Sequence, residues 1–308
     1  MKRLLSESAL PLAYALLFIV LSATVENFFS AVNLIGLLLS VAQIGMVACT
    51  MMLCLASRDF DLSVGSTIAF AGVLGAMVLD RTGSATLAVI AALAAGAAIG
   101  TINGLLIAKA RINALIATLA TMLMVRGAAF IASQGQAVGI ADEGFMAFGD
   151  TRWLGLPLPV WLTAACFLVF GVLLNHTAFG RNTLAIGGNA EAARLAGVRV
   201  DRLRVMIFLL QGLVTAAAGL VLASRITSGQ PNAAQGFELD VISACVLGGV
   251  SLAGGRATIV GVLVGVLVMG TVENVMNLQG VDAFYQYLVR GVILLAAVLL
   301  DQWKGARA

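Results

Sequence analysis

Ten long apolar runs leave this chain of 308 residues few ways to fold. A helix that crosses a membrane needs about 20 consecutive, largely apolar residues. Runs of about this length lie at residues 9–25, 33–55, 62–80, 84–108, 113–132, 157–176, 203–224, 238–253, 257–277 and 283–300. The eighth run is short and ends in glycines, and the third begins with a polar cluster. The pattern predicts one all-α transmembrane domain over residues 1–308, a polytopic integral membrane protein with about ten transmembrane helices.

The composition favours a membrane protein over a soluble one. Charged residues make up 11% of the chain and hydrophobic residues 61%, whereas a soluble domain carries about 25% charged residues. A large soluble all-helical protein is the alternative, but its helices need polar faces, and most of the apolar runs have none. We therefore expect the chain to be embedded in a lipid bilayer.

The basic residues predict the orientation of the chain, because cytoplasmic loops of membrane proteins carry an excess of Lys and Arg. With a cytoplasmic N-terminus, thirteen basic residues fall in cytoplasmic segments, three fall outside, and Arg126 and Arg290 lie within spans. The cytoplasmic set is Lys2, Arg3, Arg58, Lys109, Arg111, Arg181, Arg194, Arg199, Arg202, Arg204, Arg256, Lys304 and Arg307, and the outer set is Arg81, Arg152 and Arg225. Both termini are therefore predicted to be cytoplasmic. The first apolar run lacks a small-residue cleavage site and is expected to be a retained span.

Metal sites, disulfides and nucleic-acid binding find no support in the sequence. Cys49, Cys54, Cys166 and Cys245 all lie inside apolar runs, where cysteine behaves as a small hydrophobic residue. His176 is the single histidine of the chain, and the net charge of +3 is too small to suggest a nucleic-acid partner. We therefore expect no metal, no bound cofactor and no nucleic acid.

Residues 177–202, here called the charged segment, interrupt the apolar sequence between the sixth and seventh spans. Asn189 is a good N-cap, and Glu191 falls in the first helical turn, where a carboxylate interacts favourably with the helix dipole. Ala192 and Ala193 favour helix formation, and Gly197 stands where a helix end needs a residue free to take positive φ. The segment is predicted to contain a short amphipathic helix of about two turns.

Two surfaces can receive such a helix. One is anionic lipid, to which the arginines of the charged segment are attracted. The other is a groove on another protein. The helix is too short and too rich in alanine to bury much apolar surface in a bilayer, and its small residues suit a close approach to a protein. The sequence therefore favours the protein partner.

Several stretches of the chain resemble a known family. Glu191-Ala192-Ala193, three further residues beginning with Arg194, and then Gly197 form the E-A-A-x3-G pattern found in the cytoplasmic loop of ABC importer permeases. The segments FDLSVGSTIAFAG (60–72), INALIATLATM (112–122), FGRNTLAIGGNAEAARLAG (179–197) and LGGVSLAGGRAT (247–258) are similar to signature segments of the ribose, xylose and arabinose branch of these permeases.

The resemblance implies a transport function and a set of partners. It implies a permease of the bacterial inner membrane that moves a monosaccharide into the cytoplasm. The short helix with Glu191, Ala192, Ala193, Arg194 and Gly197 would then dock on a cytoplasmic ATPase, which binds ATP and Mg. A periplasmic sugar-binding protein would deliver the sugar, and a second copy of the chain would complete a homodimer.

The chain itself shows no catalytic motif. It contains no G-x4-GK[ST] phosphate loop, so it cannot hydrolyse ATP by that route. An intramembrane enzyme needs a Ser/His, paired-Asp or metal constellation in facing spans, and the sequence offers none. We therefore expect no catalytic residue in this chain.

Ionisable residues inside the spans are costly and serve either packing or transport. Arg126, Glu273 and Arg290 lie within spans, and Glu273 shares a helical face with Asn277, with Asn274 alongside. One interpretation is a polar strip along a sugar path. The other, which we favour, is a buried ion pair of Glu273 with Arg126 or Arg290. An ion-coupled secondary transporter that uses Glu273 is the alternative function.

Two connections are predicted to lie outside and to contact the binding protein. They are residues 133–156, which include Asp142 and Glu143, and the 225–237 loop. Loops this long in a compact protein are usually functional. Near the third span, Asp61 is expected to cap the following helix, and Gly65 to allow close backbone packing.

Overall fold

Helices make up most of the molecule. The computed structural model describes the backbone of residues 2–305 and the side chains of residues 10–302 except 283, 300 and 301. The helices are α1 (Lys2–Thr24), α2 (Ala31–Ser40), α3 (Ala42–Ala56), α4 (Val64–Thr82), α5 (Ala85–Ala108), α6 (Ala114–Ser133), α7 (Glu143–Asp150), α8 (Leu158–His176), α9 (Ala178–Gly188), α10 (Ala190–Leu195), α11 (Val200–Arg225), α12 (Phe237–Leu247), α13 (Ile259–Leu278) and α14 (Ala283–Gly305). The strands are β1 (Val138–Gly139), β2 (Arg152–Trp153), β3 (Leu156–Pro157) and β4 (Ser228–Gly229).

Each of the ten predicted spans overlaps at least one helix. Among the described residues, 7 helical stretches are long and apolar enough to cross a membrane: α2 continued by α3, then α4, α5, α6, α8, α11 and α13. Shorter apolar stretches lie at Leu10–Thr24 in α1 and Phe284–Leu299 in α14. The all-α polytopic membrane fold is confirmed. The count of ten spans and the cytoplasmic placement of both termini stay predictions.

The eighth predicted span contains a helix of only about half the length needed to cross a membrane. α12 has 11 residues, so it is about 16 Å long at 1.5 Å per residue, whereas the apolar layer is about 30 Å thick. It ends at Leu247 because Gly248 and Gly249 follow, and Gly249 has a φ of +86°. Irregular backbone precedes α12 over residues 226–236 and follows it over 248–258. Such backbone is tolerated at membrane depth only where protein covers it.

α3 forms the centre of the bundle. All but one of its 15 residues are buried, and it packs against α8, α11, α12 and α13. α5 and α11 approach each other closely along their length. Gly96, Gly100 and Gly104 recur every four residues on the face of α5 towards α11, and a Cβ at Gly100 would collide with the Phe208 carbonyl. Small residues at this spacing allow helix backbones to touch within a membrane.

Candidate functional sites

The charged segment folds into α9 and α10. Asn189 caps α10: its Oδ1 accepts hydrogen bonds from the backbone N–H groups of Glu191 (3.0 Å) and Ala192 (2.9 Å). α10 spans 6 residues, slightly less than two turns. Gly197 follows with a φ of +89°, in the left-handed region that glycine enters at little cost. The N-cap and the positive φ expected from the sequence are both present.

α10 has one buried and one exposed face. Ala193 packs with Ile186 of α9 and Val200 of α11 in a small apolar cluster. Glu191 and Ala192 are exposed, and Leu195 has 85% of its surface exposed. The exposed face therefore offers a carboxylate, small side chains and one apolar side chain to a partner.

Arg194 attaches α10 to the start of α11. Its Nη2 lies 3.0 Å from Asp201 Oδ1, and Asp201 Oδ2 lies 3.8 Å from Lys109 Nζ at the end of α5. The Arg194 side chain remains 51% exposed, and exposed ion pairs contribute only about 0–1 kcal/mol. The pair therefore orients Arg194 without removing it from the surface.

Gly187 is the point at which the charged segment enters the bundle. A Cβ at Gly187 would collide with the Ala56 carbonyl oxygen at the end of α3 and with the Gly255 nitrogen. The Gly255 N–H also donates to the Ala56 carbonyl, at 2.9 Å. Three stretches, namely α9, the end of α3 and the 248–258 loop, thus meet through backbone atoms. We call this contact the Gly187 junction.

Residues 57–63 continue from the junction towards α4. Asp59 Oδ2 lies 2.9 Å from Arg204 Nε of α11, and burial raises the pKa of Asp59 to about 6 although Arg204 opposes the shift. Asp61 Oδ1 accepts hydrogen bonds from the Ser63 N–H (2.9 Å) and the Ser63 hydroxyl (2.6 Å). The expectation that Asp61 caps α4 is therefore only partly right. It binds the N-cap residue Ser63 in a local turn, and no side chain makes a capping hydrogen bond to the first N–H groups of α4.

Arg290 of α14 joins three helices through two carboxylates. Its Nη2 lies 2.7 Å from Glu273 Oε1 of α13, and its Nη1 lies 3.1 Å from Asp240 Oδ2 of α12. We call Asp240, Glu273 and Arg290 the Arg290 cluster. A cavity of about 10 Å³ adjoins it, which holds at most one water and no sugar. The geometry therefore favours the ion-pair interpretation of Glu273, with Arg290 as the partner.

The two asparagines of α13 also bond to neighbouring helices. Asn274 and Asn33 of α2 exchange amide hydrogen bonds of 2.8 and 3.0 Å. Asn277 Oδ1 accepts a hydrogen bond of 2.8 Å from Gln286 Nε2 of α14. Asn277 and Glu273 thus both face α14, as their spacing predicts, whereas Asn274 faces α2. Hydrogen bonds of this kind are common between membrane helices.

Arg126 of α6 binds backbone carbonyls and is not the ion-pair partner of Glu273, while its place on a sugar path stays a prediction. Its Nη1 donates to the carbonyl oxygens of Pro231 and Ala233, each at 2.7 Å, and it forms no ion pair with Glu273. These carbonyls belong to the irregular 226–236 loop, which lacks the internal hydrogen bonds of a helix. Since such carbonyls need partners at membrane depth, Arg126 fastens this loop to the bundle.

The two connections predicted to lie outside come together in space. β1 pairs antiparallel with β4, with Val138 opposite Gly229. The first strand belongs to residues 133–156 and the second to the 225–237 loop. The pairing joins these two segments through backbone hydrogen bonds, and Gly229 packs against Gly72 and Val73 of α4.

α7, within the first of these segments, rests on the end of α11. The Ser224 hydroxyl donates to the Phe145 carbonyl at 2.8 Å. Asp142 caps α7 by accepting a hydrogen bond of 2.7 Å from the Phe145 N–H, and Glu143 is exposed. Asp142 therefore has a structural function beside any contact with a partner.

Asp240 was not predicted as a site residue, although its position inside an apolar run is a signal for one. Asp240 is a carboxylate inside the eighth predicted span, and its side chain is only 15% exposed. An ionisable group within a membrane span is as costly at Asp240 as it is at Glu273. It is the second carboxylate that Arg290 engages.

Comparison with known proteins identifies permeases of transport systems as relatives of this chain. A family model described as the permease component of branched-chain amino acid transport systems matches residues 33–298. The L-arabinose transport system permease protein of Escherichia coli (strain K12) is 57% identical over 302 residues, which cover 98% of this chain and 92% of that protein. The L-arabinose ABC transporter permease protein of Azospirillum brasilense is 52% identical over 98% of this chain and 89% of that protein.

Permeases named for another sugar match less well. The ribose import permease protein of Escherichia coli (strain K12) is 41% identical over 307 residues, which cover 98% of this chain and 96% of that protein. No solved structure matches the chain.

Proposed function

The chain belongs to this family of transport-system permease components, and from that we propose that it carries L-arabinose into a bacterial cell as the membrane-spanning subunit of a binding-protein-dependent ABC importer. One observation carries the choice of sugar. Two permeases named for L-arabinose are 57% and 52% identical to this chain over 98% of its length, whereas a permease named for ribose is 41% identical over the same share.

ATP hydrolysis by a partner ATPase drives the transport in this proposal, and its energy enters at α10. The exposed face with Glu191, Ala192 and Leu195 is available for docking. α9 links α10 to the Gly187 junction, where the end of α3 and the 248–258 loop meet. A displacement of α10 therefore acts on backbone that continues into α3 and α13. Gly197 shapes the exit of α10, and Ala193 and Arg194 hold α10 to the rest of the chain.

The other partners follow from the same proposal. A periplasmic sugar-binding protein contacts the surface that residues 133–156 and 225–237 form together, and a second copy of the chain completes a homodimer. Charge reversal at Glu143 tests the first contact without disturbing the cap that Asp142 forms. Unchanged stimulation of ATP hydrolysis by the binding protein would argue against this surface.

Uptake of radiolabelled sugar by proteoliposomes tests the function directly. The vesicles contain the permease and its ATPase, with ATP on the ATPase side and the binding protein on the other. We expect ATP-dependent uptake of L-arabinose and weaker uptake of ribose. Preferred uptake of ribose would change the assigned sugar, and ATP-dependent uptake of neither sugar would overturn the proposal.

The ion-coupled alternative has no support in the arrangement around Glu273. Its carboxylate is held by Arg290 at 2.7 Å, in a contact that joins α13 to α14. Glu273→Gln should leave uptake dependent on ATP and insensitive to a protonophore. Wild-type uptake that a protonophore abolishes while ATP remains would favour the alternative instead.

A further inference from the structure

Arg126 holds an irregular loop deep inside the membrane. It lies twelve residues after Ala114, the first residue of α6, and is therefore about 18 Å along a helix that is about 30 Å long. Its Nη1 binds the carbonyl oxygens of Pro231 and Ala233, so the 226–236 loop reaches the same depth. A helix of this length just crosses the apolar layer, which places the contact well within that layer.

α12 begins at this depth and is a discontinuous membrane helix. A Cβ at Gly65 of α4 would meet both the Ala234 carbonyl and the Glu238 carboxylate, so the start of α12 lies against α4. The loop that follows α12 meets the Gly187 junction, on the side predicted to be cytoplasmic. α12 therefore runs from the middle of the membrane to one side only. In many secondary transporters, broken helices of this kind form substrate sites near the bilayer midplane.

Polar side chains surround Arg126 at this depth. Asn232 stands between the two residues whose carbonyls Arg126 binds, and Gln235 follows in the same loop. Both amides are exposed, and neither has a hydrogen-bond partner among the described residues. The half-buried Glu238 adds a carboxylate that interacts with Arg126. A guanidinium has five N–H donors, and Arg126 bonds to the described residues through Nη1 alone. We call Arg126, Asn232, Gln235 and Glu238 the Arg126 patch.

Lipid does not suit the Arg126 patch as a neighbour. Ionisable side chains within a membrane face the protein interior or a water-filled cavity, and irregular backbone obeys the same limit. Yet the face of α6 that carries Arg126 is open. Leu119, Leu123 and Phe130 share this face at spacings of three and four residues, and they are 44%, 65% and 38% exposed. Protein or water therefore covers this face in the membrane.

A second copy of the chain fits the open face. The Arg126 patch carries one positive charge, one negative charge and amides that both donate and accept hydrogen bonds, so it is complementary to itself. In a dimer with two-fold symmetry, the same surface of each copy contributes to the interface. The Arg290 cluster, by contrast, pairs its charges within one copy. The Arg126 patch is thus the polar surface at membrane depth that a second copy would complete.

We propose that the Arg126 patches of two copies face each other across the sugar pathway between the copies. The remaining guanidinium N–H groups and the amides of Asn232 and Gln235 bind the hydroxyl groups of the passing monosaccharide. Sugar hydroxyls both donate and accept hydrogen bonds, which suits amide side chains. This inference rests on the proposed function and names the surface of the homodimer that handles its substrate.

Cysteine substitution tests the position of the Arg126 patch in the assembled importer in proteoliposomes. Asn232→Cys is compared with Leu168→Cys in α8, which is 70% exposed at a mid-helix position, and with Leu154→Cys in the β2–β3 turn. The wild-type protein sets the background from its own cysteines. A hydrophilic methanethiosulfonate should modify Asn232→Cys and Leu154→Cys but not Leu168→Cys. A bifunctional form of the reagent should join two copies through Asn232→Cys alone.

Either of two results would overturn this position. An Asn232→Cys thiol that stays unmodified does not line a water-filled pathway. A thiol that is modified but joins copies no better than Leu154→Cys does not face a second copy.

Removal of the amides tests the contact with sugar. Asn232→Ala and Gln235→Ala should each lower L-arabinose uptake by roughly two- to tenfold, the effect of one lost hydrogen bond. Thermal stability should not change, since neither amide has a partner within the copy. Gln279→Ala, which removes an exposed glutamine in the turn after α13, is the matched control. The binding protein should stimulate ATP hydrolysis equally in all three variants.

The outcomes separate the pathway from the other roles of the loop. Wild-type uptake by both alanine variants would overturn the sugar contact. A loss of uptake together with a loss of stimulation would show that the 226–236 loop contacts the binding protein instead. Failure of the proposed function is recognised separately, as an absence of L-arabinose uptake by the wild-type importer, because cross-linking through Asn232→Cys does not depend on which sugar is carried.

Discussion

The Arg290 cluster and the charged segment contain similar residue types but use them in opposite ways. In the cluster, Arg290 engages two carboxylates from two other helices, and its side chain is 28% exposed. In the charged segment, Arg194 forms a single pair and stays half exposed, and the segment joins the bundle through backbone contacts at Gly187. Charge fixes helix positions in the first region, whereas the second leaves its charge available to a partner.

Loss of Arg290 should have the largest effect on stability. Removing one partner of a fully buried ion pair costs about 3–5 kcal/mol, and the partial exposure here places Arg290→Ala near 3 kcal/mol. Thermal unfolding in detergent measures the loss. Arg152→Ala, which removes an exposed arginine, is the control. If Arg290→Ala and Arg152→Ala are equally stable, the Arg290 cluster does not stabilise the packing of its three helices.

Gly187→Ala should come next, because the added Cβ meets main-chain atoms that cannot rotate away. Overpacking of this kind costs about 1–3 kcal/mol. Gly188→Ala is the matched control, since a Cβ there meets nothing within 4 Å. We expect Gly187→Ala to lower both the unfolding temperature and the coupling of ATP hydrolysis to uptake. If both variants behave as the wild type, the Gly187 junction is not a tight contact.

Gly197→Ala should have a smaller effect, confined to the end of α10. A residue with a side chain at the φ of +89° costs about 1–2 kcal/mol. Gly197→Asn should lose less, because asparagine tolerates this conformation better. The measurement is uptake per ATP hydrolysed, together with co-purification of the ATPase. A larger loss of coupling in Gly197→Asn than in Gly197→Ala would show that the positive φ of residue 197 does not determine the effect.

Leu195→Ala should change stability least, by less than about 0.5 kcal/mol, as is usual for exposed positions. If α10 docks on the ATPase, this variant weakens the association by about 1 kcal/mol or more. Leu154→Ala is the control, because Leu154 is 74% exposed in the turn between β2 and β3, away from α10. Titration of the ATPase in detergent measures both variants. Equal affinities would place the docking surface elsewhere.

The sequence predicted α10 well because its signals are local. Asn189 and Gly197 lie within nine residues of each other, and capping depends on the chain immediately around them. The sequence did not decide which arginine pairs with Glu273, because Arg126 and Arg290 each lie within a predicted span and are equally plausible partners. The choice depends on how α6 and α14 pack, which is a long-range property. The sequence showed that the eighth run is short and ends in glycines, but it placed the end at residue 253, whereas α12 ends at Leu247. Hydropathy does not distinguish a short helix enclosed by protein from one that crosses the bilayer.

The shortness of α12 has a consequence for the synthesis of the protein. An 11-residue helix preceded by the irregular 226–236 loop is a poor substrate for insertion into lipid by itself, because the loop leaves backbone groups without partners there. The Pro231 and Ala233 carbonyls find their partner in Arg126, which the ribosome completes about a hundred residues earlier. These two carbonyls of the 226–236 loop therefore find their partner on a helix made earlier, α6. The chain up to residue 225 is thus the template on which the 226–236 loop is inserted, and α12 gains Arg290 as the partner of Asp240 when α14 follows.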